Sequence, residues 1–207
     1  MFNLTPEEEK VFRSFRNPAE IQDFVNNLKV NFDFKKDTCM SPRMVLKTGK
    51  AHCIEGAFFA AVALKYLGFR PLVIDMKGTK DDCDHVIAVF KIDGKWGAIS
   101  KTNHAVLRYR EPVYDDIREL VMSYFHEYSD SKGNKTLRKY SIPVDLTIFD
   151  NSNWVTSEED LWHIHDYLDR VKHFDILTKK QEHNLRKQDK IEIALDKFVE
   201  YKVPKHN

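Results

Sequence analysis

The chain has 207 residues, enough for one domain with a sizeable core, and its 33 basic residues nearly cancel 32 acidic ones. That balance argues against a phosphate-rich partner or an anionic membrane surface, and no apolar run is long enough to span a bilayer. The expectation is a cytoplasmic protein with neither a nucleic-acid nor a membrane partner.

The N-terminus, where Pro6 and three glutamates follow Leu4, lacks the pattern of a signal peptide. Three cysteines without framework spacing fit a reducing compartment, in which Cys53 stays a free thiol. Thr5-Pro6-Glu7-Glu8 reads as a capped helix start. Asn17-Pro18-Ala19-Glu20 repeats the device ahead of an apolar stripe of Ile21, Phe24, Val25 and Leu28. Residues 31–40 read as a polar, irregular connection. Ser41-Pro42 starts a short helical turn that delivers the chain to Gly49.

From Cys53 to Leu67 the only charged residues are Glu55 and Lys65. A helix apolar on nearly every side is buried on nearly every side, and Gly68 ends it with Phe69 packing back. A thiol at the N-terminus of such a helix faces unpaired N–H groups and the positive end of the dipole, which favours thiolate. The bland alternative is a core cysteine that opens a buried helix.

Strands are expected at 70–76, 85–92 and 95–102, the last two joined by the turn dipeptide Asp93-Gly94. If those two residues make the turn, Ile92 pairs with Lys95, His85 lies opposite Thr102, and Ser100 lies opposite Ile87. His85, Ile87 and Val89 then share a face with Ala98 and Ser100, and Ser100 is diagonal to His85 at roughly 7–8 Å between backbones. Asn103 falls on the opposite face unless a bulge intervenes. Both faces of the hairpin are apolar enough to be covered.

Beyond Asn103, residues 104–110 read as extended, 113–126 as a helix and 140–149 as a strand. Thr156-Ser157-Glu158-Glu159 caps a helix bearing Leu161, Ile164, Leu168 and Val171. A last amphipathic helical region runs over 178–201.

The order of a buried cysteine helix, a strand, a strand opening on histidine, a hairpin and a further strand resembles the transglutaminase-like superfamily of papain-type cysteine enzymes. The matching residues are Gly49-Lys50-Ala51-His52-Cys53, Asp84-His85-Val86 and Gly94-Lys95-Trp96-Gly97-Ala98-Ile99-Ser100, within 18–109. The resemblance implies an α+β fold in which the buried Cys helix packs on an antiparallel sheet. It further implies nucleophile, base and orienting residue in the order Cys, His, Asp. Ser100 stands where that aspartate is usual.

The expectation is one domain over 1–207, with its core at about 18–110 and a C-terminal helical extension at about 154–203. Cys53 is the candidate nucleophile, His85 the base and acid, and Ser100, or alternatively Asn103, the orienting group. The implied activity is that of a hydrolase or acyl transferase working on an amide-type bond of a peptide, protein or small molecule through a thioester. No metal or organic cofactor is implied. The rival is a silent binding module that has lost the acidic residue, and a Cys53–Cys83 redox pair stands third. Cys83 and His85 share a strand face but have no second ligand pair for zinc. His163 and His165 diverge on a helix, and His104 follows the third strand as a lone loop histidine.

Overall fold

The computed structural model describes residues 2–32 and 36–202. Met1, the middle of the 31–40 connection (33–35) and residue 203 of the expected extension lie outside them.

Helix α1 (Pro6–Ser14) starts on Thr5 with a reciprocal Thr5–Glu8 capping box. Helix α2 (Pro18–Asn27) opens on Asn17, whose Oδ1 accepts from the Glu20 N–H at 2.9 Å. Strands β1 (Lys29–Val30) and β2 (Lys50–Ala51) form a parallel ribbon. Between them lies α3 (Pro42–Thr48), capped by Ser41 and ended by Gly49 at φ +64°. This ribbon leads directly into α4 (Cys53–Tyr66), which is buried from Ile54 to Leu64. Phe12, Phe15 and Phe24 surround Phe59 with centroids 4.9 to 6.3 Å away, and Trp154 meets Phe58 edge-on. Gly68 turns the chain, and the Phe69 N–H closes on the Leu64 carbonyl at 3.0 Å.

The remaining strands are β3 (Leu72–Lys77), β4 (His85–Ile92), β5 (Lys95–Ile99), β6 (Arg110–Tyr114), β7 (Lys139–Ser141), β8 (Val144–Asp145) and β9 (His173–Asp175). They form an antiparallel sheet in the order β6-β5-β4-β3-β7-β9, with β8 also alongside β3. The β4–β5 register runs from Ile92↔Lys95 to Ala88↔Ile99, as a two-residue Asp93-Gly94 turn implies. Asp93 and Gly94 both take the positive φ that this tight turn requires. Val73, Val86, Ala88, Phe90 and Ile99 face α4. Ile74, Ile87, Val89 and Ala98 pack with Leu120 and Val121 of α5 (Ile117–Met122) and with Tyr124. The result is an α+β fold whose sheet is covered on both faces. No helix among the described residues is long and apolar enough to cross a membrane.

Several expected elements differ, each for a physical reason. The third hairpin strand stops at Ile99, not near 102, because the Gln22 side-chain amide takes both the N–H and the C=O of Ser100, each at 2.9 Å. Part of the helix expected over 113–126 is instead β6, which pairs with the open edge of β5; α5 begins only after Asp116, whose carboxylate caps the Glu119 N–H. Pro143 cannot extend a ladder of N–H donors, and the strand expected over 140–149 becomes β7, β8 and a 3₁₀ turn over Leu146–Ser152.

The Thr156-Ser157 helix start is displaced to α6 (Trp162–Arg170). Asp160 accepts from the Cys39 N–H, and the Leu161 N–H reaches the Cys39 carbonyl at 2.7 Å, which holds this segment away from helical geometry. The expected 178–201 helix is two short ones, α7 (Lys179–His183) and α8 (Lys190–Asp196). Ile191, Leu195 and Phe198 are 77, 53 and 71% exposed, so packing does not extend the helix. Residues 198–201 run extended beside 103–105 instead.

Candidate active site

Cys53 is the first residue of α4, half-buried, with its Sγ 4.0 Å from the Asp84 carbonyl oxygen. As the first helical residue, its N–H has no acceptor within the helix. His85 opens β4 and is almost fully buried. Its Nε2 lies 2.8 Å from Ser100 Oγ, and Ser100 donates its own proton to the Leu107 carbonyl at 2.6 Å. A hydroxyl that donates elsewhere accepts from the ring, which assigns the hydrogen to Nε2. Nδ1 is then the ring's proton acceptor, and His85 lines the same cavity as Cys53.

The second histidine at the sulfur is His52, whose direction the sequence alone does not reveal. Its Nε2 sits 2.8 Å from the Thr38 carbonyl and 3.4 Å from Glu55 Oε1. Glu55 is fully buried inside a ring of donors. It accepts from the Thr38 hydroxyl at 2.6 Å and from the Met40 and His52 N–H groups, each at 2.9 Å. Asn31 Nδ2 approaches at 3.3 Å. The one visible signal in the sequence is that Glu55 is a charge at the third position of an otherwise apolar helix start.

Burial opposes ionisation of Cys53, but hydrogen bonds from His52 and His85, with the charge on those rings, hold the thiol well below its ordinary value. Burial likewise opposes protonation of His52, yet its contacts with Cys53, Glu55 and the Thr38 carbonyl push it up to about 9. The other two thiols go the opposite way. Burial, then Glu55 and Asp160, raise Cys39; burial, then Asp82, Cys53 and Asp84, raise Cys83. Of three cysteines only Cys53 sits in surroundings that favour thiolate.

Asn103 is not beside His85. Its side chain accepts from the Tyr201 N–H and donates to the Tyr201 carbonyl, both at 2.9 Å, so it fastens the C-terminal segment. Of the two expected orienting groups, Ser100 is the one in contact with the imidazole. Gln22, which carries no signal in the sequence, fixes Ser100 from a helix 78 residues away.

His104 Nδ1 meets the Asp196 carbonyl at 2.7 Å. His163 contacts Ser152, whereas His165 faces Asp166 and Asp169, so the two diverge. Cys83 is exposed, with its carbonyl taken by the Tyr128 hydroxyl. Metal-compatible donors converge among the described residues at Asp75, Asp84 and Asp169. The Lys77 ammonium already lies among them, 2.7 Å from Asp169 and 3.6 Å from each of the other two.

A cavity of about 690 Å³ opens on Cys53 and His85, walled by Lys101, Leu107 and Tyr128 and rimmed by Asn103, His104 and Val199. A second, of about 420 Å³, reaches Cys53 from the side of α6. The sequence matches no protein-family model and no curated protein.

The Ser100 contact makes a direct prediction. Ser100→Ala leaves the buried His85 N–H without its acceptor and frees the ring to change tautomer. Turnover of an acyl substrate is expected to fall at least about tenfold, yet well short of the ~10⁴ lost when a charged orienting group is neutralised, because serine supplies position and no charge. Steady-state kcat of the two proteins measures this, and an unchanged kcat contradicts it.

Proposed function

We propose that the protein is a cysteine-dependent hydrolase or acyl transferase of the transglutaminase-like, papain-related type, acting on an amide-type bond through a thioester. The observation that carries this reading is Cys53 at a helix N-terminus, on one cavity with His52 and with His85, whose tautomer Ser100 fixes. A neutral thiol is a poor nucleophile, and a positioned imidazole removes its proton and returns it to the leaving group.

In the first half-reaction the Cys53 proton passes to His85 Nδ1, and the thiolate attacks the carbonyl carbon. The S–C bond forms while the C=O π pair moves onto oxygen, where the Cys53 backbone N–H is a ready donor. Collapse breaks the C–N bond, and the departing amine takes the proton from His85. In the second half-reaction a water or an acceptor amine gives its proton to His85 and attacks the thioester carbonyl, releasing the acyl product and the thiol. The 690 Å³ cavity accommodates a peptide side chain or a small amide beside the sulfur.

The competing reading is a binding module that keeps the cleft without turnover; the uncharged Ser100 favours it. Trapping the covalent intermediate separates the two. Brief incubation with a p-nitrophenyl ester, followed by intact-mass analysis and peptide mapping, is expected to find one acyl group, on Cys53. Acylation of Cys83 alone, or none, contradicts the enzyme reading.

A further inference from the structure

We propose that His52 is a second catalytic histidine, a standing imidazolium backed by Glu55 and the Thr38 carbonyl that holds the Cys53 thiolate while His85 moves the protons. This rests on the reading of Cys53 as a nucleophile and assigns the site a charge that neither Ser100 nor Asn103 supplies.

The geometry is specific. Glu55 grips His52 twice, accepting from its backbone N–H at 2.9 Å and lying 3.4 Å from its Nε2. The Thr38 carbonyl meets the same nitrogen at 2.8 Å. Both neighbours of Nε2 are acceptors, so that nitrogen carries a hydrogen. His52 and Cys53 are consecutive residues, and both line both cavities.

Behind His85 the situation is reversed. Ser100 fixes the tautomer and direction of the ring but leaves the imidazolium without a charged partner. The carboxylate absent behind the base is present behind His52. With His52 charged, thiolate and Glu55 carboxylate face two imidazolium rings and the cluster is neutral. With His52 neutral, the same cluster carries one uncompensated negative charge in a largely buried site, which is costly.

His52 neither gains nor loses a proton in the cycle. The Cys53 proton still travels to His85 Nδ1 and leaves with the amine. The contribution of His52 is to make that first transfer favourable, because a fixed neighbouring cation stabilises thiolate over thiol. Its raised protonation, to about 9, agrees with this role. The titratable groups next to His52 are Cys53 and Glu55 of α4, and His85 of β4 and Asp84 just before it line a cavity with it. The cavities that His52 lines also carry Asp37, Cys83, His165 and Asp169 on the α6 side. On the other side they carry Lys101, the carboxylates Asp81, Asp82, Glu127, Asp130 and Asp196, and the basic groups His104 and Lys197. Asp75 and Tyr128 are the remaining titratable groups on their walls.

The test compares the pH midpoint of Cys53 alkylation by iodoacetamide in the full-length wild type, His52→Asn and His85→Ala, with thermal melting as a control for folding. Asparagine is a favourable helix cap, which suits position 52. The midpoint is expected to rise to the ~8.5 of an ordinary thiol in His52→Asn and to rise less in His85→Ala. An equal or larger rise in His85→Ala overturns the proposal. A second measurement stands if His52→Asn does not fold: ¹⁵N shifts of the wild-type His52 ring are expected to report imidazolium at neutral pH, and a neutral ring there overturns it. Neither readout uses an acyl substrate. A protein that alkylates as expected but forms no acyl-enzyme refutes the enzyme reading and leaves the His52 pair intact.

Discussion

Cys53→Ala is expected to reduce acyl turnover by a factor on the order of 10⁶ in kcat, the loss seen where the nucleophile of a working triad is removed. The fold should survive. Cys53 is half-buried at a helix start, and the Glu55 ring that fixes that start does not involve its sulfur. The melting temperature should stay within about 2–4 °C, the change that ~1 kcal/mol produces in a chain of this length. Assay against a p-nitrophenyl ester, with the melting curve of the same preparation, checks both halves. Turnover that persists in a folded Cys53→Ala protein removes Cys53 from the mechanism.

The largest stability effect is expected at Glu55→Ala. The carboxylate is fully buried and accepts from the Thr38 hydroxyl and two backbone N–H groups, so its removal leaves those donors without their acceptor. Breaking such a network from one side costs about 3–5 kcal/mol. That corresponds to a fall in melting temperature of about 6–20 °C. The damage should extend to chemistry, because the same carboxylate backs His52. Glu55→Gln keeps the shape and part of the bonding while removing the charge, and is expected to lose less stability. A Glu55→Ala protein within about 1 kcal/mol of wild type in urea melts contradicts this view of the site.

What was legible in the sequence was local. Thr5 and Asn17 declare their helices because capping is a four-residue pattern, and α4 declares itself by being apolar on every side. The Asp93-Gly94 turn fixes the β4–β5 register, and that register brings Ser100 to His85.

What was not legible depends on partners far along the chain. Gln22 sits on a helix read as scaffold and reaches Ser100 across 78 residues. Asn103 resembles an orienting asparagine in type, yet Tyr201, 98 residues on, holds its amide from both sides. His52 and Glu55 acquire their meaning from the 36–40 segment, an irregular stretch whose carbonyl and hydroxyl directions follow no period. The helix expected over 178–201 broke up for the opposite reason: Ile191, Leu195 and Phe198 stay exposed, and 198–201 pairs with 103–105 instead.

The central claim is that Cys53 is an ionised nucleophile near neutral pH, and alkylation of all three cysteines in one sample tests it most directly. Iodoacetamide labelling is followed by peptide mass analysis across a pH series, so Cys39 and Cys83 serve as internal references. Cys53 is expected to react first, with a midpoint well below the ~8.5 of an ordinary thiol. Exposed Cys83 should follow only at higher pH, and buried Cys39 should stay unlabelled until the protein unfolds. A Cys53 midpoint at or above that of Cys83 contradicts the account.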